Sequence, residues 1–254
     1  MSFVVDPQSY TKFMGRFSGP LARAFVDAVG VVPGQRVLDV GCGTGELTKV
    51  LVERLGVESV AAADPSAPFI EFVRETYPGL HVELAGAEDM PFADNEFDVA
   101  LAQLVVLFMA DPQRGLAEMI RTVKPGGLVA ANVWDHGGGK GPLSPFWEAA
   151  RAYDPDSPDE SHLAGVHEGQ LAAMLTDAGL VEVASTVLTV TLHCETFDEW
   201  WNPFLLGVGP AGAYVAGLDP QAQSRLRDEC QNIMGVGPFD ASASAWTALG
   251  RVTA

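Results

Sequence analysis

A run of glycines with one acid follows a short apolar segment, in Val37-Leu-Asp-Val-Gly-Cys-Gly-Thr-Gly. Gly41, Gly43 and Gly45 permit a tight turn and let a ligand approach the backbone closely. A helix that starts directly after the turn would offer free N–H groups to that ligand. Asp39 makes the turn acidic, which suits a ligand with positive charge better than a pyrophosphate. The pattern therefore predicts a binding turn for a small zwitterionic molecule.

Two other interpretations of this turn stay open. A glycine turn between a strand and a helix can serve without any ligand, and a similar turn holds the pyrophosphate of dinucleotides. The dinucleotide interpretation would make the chain a nicotinamide-dependent oxidoreductase, supported by the turn and by Asp64. A third alternative is a module that binds a cofactor without turnover.

A parallel sheet is needed to bring such residues together. Strand and helix signals alternate through the first half of the chain, up to about residue 133. Alternation of this kind predicts an α/β, doubly wound, mostly parallel sheet with right-handed crossovers. Ligands of these sheets bind outside the carboxyl ends of the strands, which is where Asp39, Asp64 and Gln103 fall.

The second half of the chain is less regular. A long alternating segment, residues 181–193, predicts a strand, and residues 242–252 predict the last one. Between them, residues 197–238 are rich in Trp, Phe and Gly and are interpreted as a small helical lid, with a helix at residues 220–234. We expect one domain over residues 1–254, with residues 1–30 as an N-terminal segment that covers the ligand.

Four segments in order resemble the class I methyltransferases that use S-adenosylmethionine. The Asp39–Gly45 turn resembles their motif I, and Asp64 resembles the acid that binds both ribose hydroxyls. Ala87-Glu-Asp-Met-Pro-Phe resembles the motif on the adenine side, and Arg121-Thr-Val-Lys-Pro-Gly-Gly resembles the turn before the fifth strand. The nearest likeness is to the type 11, ubiquinone/menaquinone-biosynthesis-like family. It implies a Rossmann-like fold whose last strand is antiparallel.

The resemblance implies a set of cofactor-binding residues. They are Asp39, Gly41, Cys42, Gly43, Gly45, Asp64, Pro65, Ala87, Glu88, Gln103, Arg16 and Tyr10. Arg16 would pair with the methionine carboxylate and Tyr10 would cover the sulfonium, with a simple amphipathic helix as the alternative. One departure concerns the adenine, because Gly86 stands where the family has an acid. We expect Glu88 or the backbone of Ala87 to bind the amino group there.

The implied reaction is an in-line attack by an O, N, S or C atom of a small-molecule acceptor on the sulfonium methyl, which releases S-adenosylhomocysteine. His136 is the candidate for a general base, should the acceptor need one. His162, His167 and His193 are weaker candidates for that role. The candidates for a substrate pocket are Trp134, His136, Trp147, Trp200, Trp201 and Phe204. The aromatic residues of this set are alternatively the small core beneath the lid.

Charge and cysteine content narrow the class of partner. The formal charge of −18 would repel the phosphates of nucleic acid and of an anionic membrane. Three scattered cysteines and no apparent signal peptide favour a cytoplasmic protein without disulfides, and no Cys/His spacing predicts a metal site. We therefore expect a small-molecule substrate and no nucleic-acid or membrane partner. The identity of the acceptor and the oligomeric state stay open.

Overall fold

The structure is a computed structural model that describes residues 6–152, 154–157 and 160–253. Residues 1–5, at the start of the predicted covering segment, and Tyr153, at the end of a predicted helix, lie outside the described residues. Within the described ranges, none of the helices combines the length and the apolar character that a membrane crossing requires.

Seven strands form one sheet in the order β3-β2-β1-β4-β5-β7-β6. Strands β1 to β5 are parallel, and β7 lies antiparallel between β5 and β6. The bounds are β1 Val37–Val40, β2 Val60–Asp64, β3 His81–Leu84, β4 Phe97–Gln103, β5 Val123–Trp134, β6 Val181–Cys194 and β7 Phe239–Arg251. The predicted doubly wound sheet with an antiparallel last strand is confirmed.

Ten α-helices flank this sheet or form the segment before its last strand. They are α1 Pro7–Tyr10, α2 Arg16–Val29, α3 Glu46–Leu55, α4 Ala67–Thr76, α5 Pro112–Thr122, α6 Ser144–Arg151, α7 Gln170–Asp177, α8 Phe197–Trp201, α9 Gly209–Gly217 and α10 Pro220–Met234, counted over the described residues. A π-helical turn, Thr11–Gly15, joins α1 to α2. The Asp6 carboxylate caps the start of α1, and Gly30 ends α2 in the left-handed region at φ 77°.

Each central strand is covered on both faces, so its residues are apolar almost without interruption. In β1, Leu38 and Val40 pack on one side with Leu116 of α5, whereas Val37 packs on the other with Phe25 of α2. Neighbouring residues of a strand point to opposite faces, which divides these side chains between two cores. Because both faces of these strands are packed, the positions of the strand ends are fixed. The loops that follow the strands therefore start from fixed positions.

The strand β5 begins earlier than predicted. Lys124-Pro-Gly-Gly, which the sequence predicts as a turn, belongs to the strand, and the register with β4 shifts between Phe97 and Val99. Gly126 donates its N–H to the carbonyl of Val252, and Val252 donates to Gly127. Backbone partners from the far end of the chain thus extend the strand, which local turn signals do not reveal.

Candidate functional site

A cavity of about 380 Å³, called here the first cavity, lies at the carboxyl ends of β1, β2 and β4. This is the point where the strand order reverses, between β1 and β4. Its lining consists of Tyr10, Ser18, Asp39, Gly41, Cys42, Gly43, Thr44, Glu46, Leu47, Asp64, Pro65, Ser66, Phe69, Gly86, Ala87, Glu88, Gln103, Leu104, Val105, Phe108, Met109 and Ala110. The sequence therefore predicted ten of these positions, and the sheet brings them together from five separate segments.

Asp39 lies in β1 at the floor of the first cavity, where it is 1% exposed. Thr48 of α3 donates a hydrogen bond of 2.6 Å to its carboxylate. Burial raises the pKa of Asp39 to about 7, and Thr48 opposes that shift only in part. A buried carboxylate of this kind is stabilised in its charged form by any cation placed beside it.

Asp64 ends β2 and faces the glycine turn. One carboxylate oxygen accepts from the N–H of Gly43 at 2.9 Å, and the other accepts from the N–H of Ser66 at 2.8 Å. Burial raises its pKa despite these two bonds. Each carboxylate oxygen has a second lone pair, so the oriented group can still accept from two ligand hydroxyls.

The glycine turn depends on tight packing at Gly41. Its φ is 71°, and a β-carbon there would lie 2.5 Å from the side chain of Val105. Gly43 also has a positive φ, 53°, but no atom would meet its β-carbon within 4 Å. Gly45 begins α3 beside Val73 and Tyr77 and does not line the first cavity. Its contribution is to the turn itself.

The helical segment from α1 to α2 covers the first cavity. Tyr10 lines the cavity and packs on Phe69 at 5.5 Å between ring centroids. Burial raises the pKa of Tyr10 to about 12, which keeps the phenol neutral. Arg16, predicted to reach the cofactor, instead donates a 2.6 Å hydrogen bond to the carbonyl of Glu199. The reason is positional, since Arg16 lies further along the segment, beside α8 rather than beside the cavity.

The exit of β4 contributes a polar group and a strained residue. The amide nitrogen of Gln103 donates to the carbonyl of Ser18 at 3.1 Å. Its Oε1 is buried and has no hydrogen-bond donor among the described residues. Leu104 follows with φ 62°, a region uncommon for leucine. Its N–H is held by the backbone carbonyl of Asn132 at 2.9 Å, and this bond fixes the unusual conformation.

On the side of the first cavity expected to hold the adenine, the carboxylate of Glu88 already binds the protein backbone. Glu88 lines the cavity, but one of its oxygens accepts from the N–H of Ala110 at 2.8 Å. Glu88 therefore ties its own turn to the loop before α5. Its second oxygen lies beside Gly86, where a β-carbon would approach it to 3.2 Å. Glu88 and the backbone of Ala87 both stay candidates for the adenine amino group.

A smaller cavity of about 60 Å³, called here the second cavity, adjoins the first. Tyr10, Leu104 and Phe108 line both of them. The rest of its lining is largely apolar and consists of Phe13, Met14, Leu107, Trp134, His136, Pro142, Leu143, Glu160, Val208, Gly209 and Pro210. Two predicted pocket residues, Trp134 and His136, therefore line a cavity.

The other four predicted pocket residues do not line either cavity. Trp147, Trp200, Trp201 and Phe204 are at most 3% exposed and belong to one apolar cluster with Phe146. The rings of Phe146 and Phe204 stack at 4.7 Å between centroids. This burial agrees with the alternative interpretation, in which these residues form a core beneath the lid, and substrate contact by them stays a prediction. Burying large aromatic rings is the main source of apolar stabilisation available to so small a unit.

Several lining residues were missed by the sequence analysis. Phe108 and Val105 lie in the loop after β4, directly beyond the predicted Gln103. Their position within the long apolar run that starts at Val99 is a usable signal, since such a run outlasts the strand. Glu160 was missed because nothing in the sequence of that acidic loop distinguishes it from the other acids there.

The first cavity fits the cofactor that the resemblance implies. S-adenosylmethionine carries an ammonium, a sulfonium and two ribose hydroxyls. The orphaned Oε1 of Gln103 and the carboxylate of Asp39 suit the cationic groups, and the oriented carboxylate of Asp64 suits the hydroxyls. Such a donor set suits a pyrophosphate poorly, because carboxylates repel phosphate.

Residues 38–131 match the model of a methyltransferase domain of type 11. A demethylmenaquinone methyltransferase from Renibacterium salmoninarum is 38% identical over 45% of this chain and 47% of its own length. The match thus spans about half the length of that relative. A demethylmenaquinone methyltransferase from Paenarthrobacter aurescens is 30% identical over 63% of this chain and 68% of its own length.

A solved structure extends the likeness to most of the fold. It is the geranyl diphosphate C-methyltransferase from Streptomyces coelicolor, in complex with Mg²⁺, geranyl diphosphate and S-adenosylhomocysteine. The two chains superpose with a TM-score of 0.54 at 16% identity, over 94% of this chain and 80% of the other. The sheet order, the first cavity and these similarities agree. The chain belongs to the type 11 family of S-adenosylmethionine-dependent methyltransferases.

Proposed function

We propose that this protein transfers the methyl group of S-adenosylmethionine to an apolar small molecule that enters the second cavity. The observation that carries the proposal is the shared wall of the two cavities, formed by Tyr10, Leu104 and Phe108. A ligand in the polar first cavity and a ligand in the apolar second cavity would meet there. When bound, the cofactor would supply an electrophilic methyl group, carried on its sulfonium sulfur.

The chain's own residues bind, orient and exclude water. Asp39, Asp64 and Gln103 hold the ends of the cofactor, and the fixed backbone at Leu104 sets the distance across the shared wall. Alignment of two reacting atoms supplies a large part of a methyl transfer, because it removes the entropy cost of their encounter. The helical segment that carries Tyr10 keeps solvent away from the sulfonium side.

The lid segment, residues 197–238, is proposed to admit the acceptor. Val208, Gly209 and Pro210 of this segment line the second cavity. Gly207 and Gly209 both have positive φ, 72° and 63°, and no atom would meet a β-carbon at either. Two glycines with positive φ so close together mark a sharp change of chain direction beside the second cavity, and we propose them as the hinge of the lid segment.

Charge and relatives support a small acceptor. The formal charge of −18 disfavours nucleic acid, and three cysteines that are all free and buried suit a reducing cytoplasm. The relatives include a demethylmenaquinone methyltransferase and a geranyl diphosphate C-methyltransferase, so small acceptors occur among similar proteins. A lining of mostly apolar side chains in the second cavity selects for an apolar molecule rather than a sugar or a nucleotide.

The proposal is tested in two steps. Calorimetric titration should show tight binding of S-adenosylhomocysteine and weak or no binding of NADH. Tight binding of NADH, together with no detectable binding of S-adenosylhomocysteine, would favour the nicotinamide alternative. Transfer of a labelled methyl group to a library of apolar metabolites should then reveal turnover, whereas cofactor binding without any transfer would favour a binding module.

A further inference from the structure

The mostly apolar lining of the second cavity contains a histidine beside a carboxylate. His136 and Glu160 both line it, and His136 Nδ1 lies 3.7 Å from Glu160 Oε2. Their side chains are 7% and 12% exposed, so both are largely shielded from water. A buried histidine beside a carboxylate is the arrangement that general bases use, since the carboxylate stabilises the imidazolium after it accepts a proton.

The loop that carries His136 is held in place by backbone bonds to β7. Asp135 donates its N–H to the carbonyl of Ser244 at 2.9 Å, and Ser244 donates to the carbonyl of Lys140 at 2.8 Å. The Asp135 carboxylate also accepts from the N–H of Gly138 at 2.7 Å. A short loop closed by three such bonds places His136 as firmly as a strand would, which general base catalysis needs.

A third polar group completes the arrangement. Trp134 lines the second cavity and is 3% exposed. Its indole Nε1 is buried and has no acceptor within the part of the chain that the structure describes. A buried donor without a partner is costly, so an acceptor that a ligand brings would be favoured. The cavity thus combines a mostly apolar lining with the indole N–H of Trp134, the imidazole of His136, the carboxylate of Glu160 and the phenol of Tyr10.

We infer that His136 is the catalytic base for an apolar hydroxyl acceptor such as a phenol, with Glu160 as its positioning residue and Trp134 as the donor to the acceptor oxygen. This inference rests on the proposed function. His136 takes the hydroxyl proton, the oxygen forms its bond to the methyl carbon, and the carbon–sulfur bond breaks. The electron pair of that bond stays on sulfur as S-adenosylhomocysteine leaves, and His136 later returns the proton to solvent.

A neutral hydroxyl explains all three groups together. An arylamine is uncharged in neutral solution, attacks through its lone pair and gives up its proton afterwards, so it gains little from a base poised beforehand. A thiol ionises near neutral pH without help. A hydroxyl or phenol has a proton that must leave for its oxygen to become a strong nucleophile. The N–H of Trp134 also stabilises negative charge as it develops on that oxygen.

The test uses 2-naphthol, naphthalene-2-thiol and 2-naphthylamine as acceptors with the full chain. We expect methylation of the naphthol, and His136→Ala should lower its kcat by about 10²-fold or more with little change in the affinity for S-adenosylhomocysteine. Added imidazole should restore part of the activity of His136→Ala. Trp134→Phe, which keeps the apolar ring, should lower kcat by about tenfold, the factor for a lost hydrogen bond to a charged group.

A double-mutant cycle separates positioning from mere structural support. Glu160→Gln should lower kcat about tenfold with an unchanged KM, and it should have almost no further effect in the His136→Ala background. His81→Ala is the matched control, because His81 also pairs with an acid, Glu83 at 2.9 Å, but is 46% exposed on the surface. That variant should keep the activity of the original chain.

Several results would each overturn the inference. They are a kcat for 2-naphthol that survives His136→Ala, additive losses in the Glu160 cycle, and methylation of only the amine or the thiol. Absence of naphthol methylation by a chain that still binds S-adenosylhomocysteine also overturns it and leaves the cofactor site intact. Failure of the original chain to bind S-adenosylhomocysteine would instead overturn the proposed function.

Discussion

The two cavities lie side by side and share Tyr10, Leu104 and Phe108, yet they are built in different ways. The first has polar groups at strand ends, and its carboxylates are held by backbone N–H groups and by Thr48. The second is lined by apolar side chains from segments far apart in the chain. It has only about 60 Å³ of open space against about 380 Å³ in the first.

This difference shows how a rigid site and an adaptable one can share a wall. The first cavity is bounded by β1, β2 and β4, which are buried on both faces and leave little freedom at their ends. The second is bounded in part by Val208, Gly209 and Pro210 of the lid segment. In the proposed function, the acceptor therefore enters from the side of the lid segment, whereas the cofactor lies on the fixed strand ends.

The largest expected effect concerns the aromatic cluster behind the second cavity. Phe204→Ala should lower the free energy of unfolding by about 3–5 kcal/mol, because a fully buried ring leaves a cavity. Phe204 is 2% exposed and packs against Phe146 and against Phe13 at 5.2 Å. The affinity of the Phe204→Ala variant for S-adenosylhomocysteine should change little below the melting temperature. Urea denaturation and calorimetric titration measure the two quantities.

The neighbouring Leu205 provides the control, since it is 50% exposed and Leu205→Ala should cost under about 1 kcal/mol. A small stability loss in Phe204→Ala, accompanied by a large rise in the KM for the acceptor, would contradict a core role. Phe204 would then contact the substrate, and the aromatic cluster could no longer be treated as a core separate from the second cavity.

The next effect concerns the first cavity. Asp64→Ala should weaken the binding of S-adenosylhomocysteine by about 2 kcal/mol or more, because two ribose hydroxyls lose a charged acceptor. The variant also removes the partner of the Gly43 and Ser66 N–H groups, so the turn loses its anchor. Isothermal titration gives the dissociation constant. An unchanged value would remove Asp64 from the binding set, whereas Asp228→Ala, at an exposed acid of α10, should leave it unaltered.

The smallest effect, taken per pH unit, is a pH dependence of stability that arises from Asp39. Burial raises its pKa to about 7 in the folded chain, so above pH 4 the folded state keeps a proton that the unfolded state releases. Stability should therefore fall as pH rises from about 4 to 7, by at most about 1.4 kcal/mol per pH unit for this group. Asp39→Asn should remove that contribution, which urea denaturation between pH 5 and 7 measures. If the free energy of unfolding varied with pH in the same way for the original chain and for Asp39→Asn, Asp39 would be charged in the folded state over this whole pH range.

The regular half of the molecule was largely predictable from the sequence. The strand signals around Val37 and Phe97, the glycine turn and the acid at Asp64 are local patterns, and a parallel sheet places local strand ends together. Arg16 and Glu88 were harder to interpret. Their side chains are long enough to reach several partners, and only the packing of α8 and of the loop before α5 decided which ones they bind.

By itself, the sequence determined the fold class, the family and the cofactor turn, because each depends on short-range periodicity or on residues a few positions apart. The tertiary structure alone decided which aromatic residues face a cavity and which are core. It also placed Glu160 beside His136 and left the Oε1 of Gln103 without a donor. These outcomes depend on contacts between segments separated by tens of residues, and no local pattern encodes which of several apolar or acidic side chains will meet.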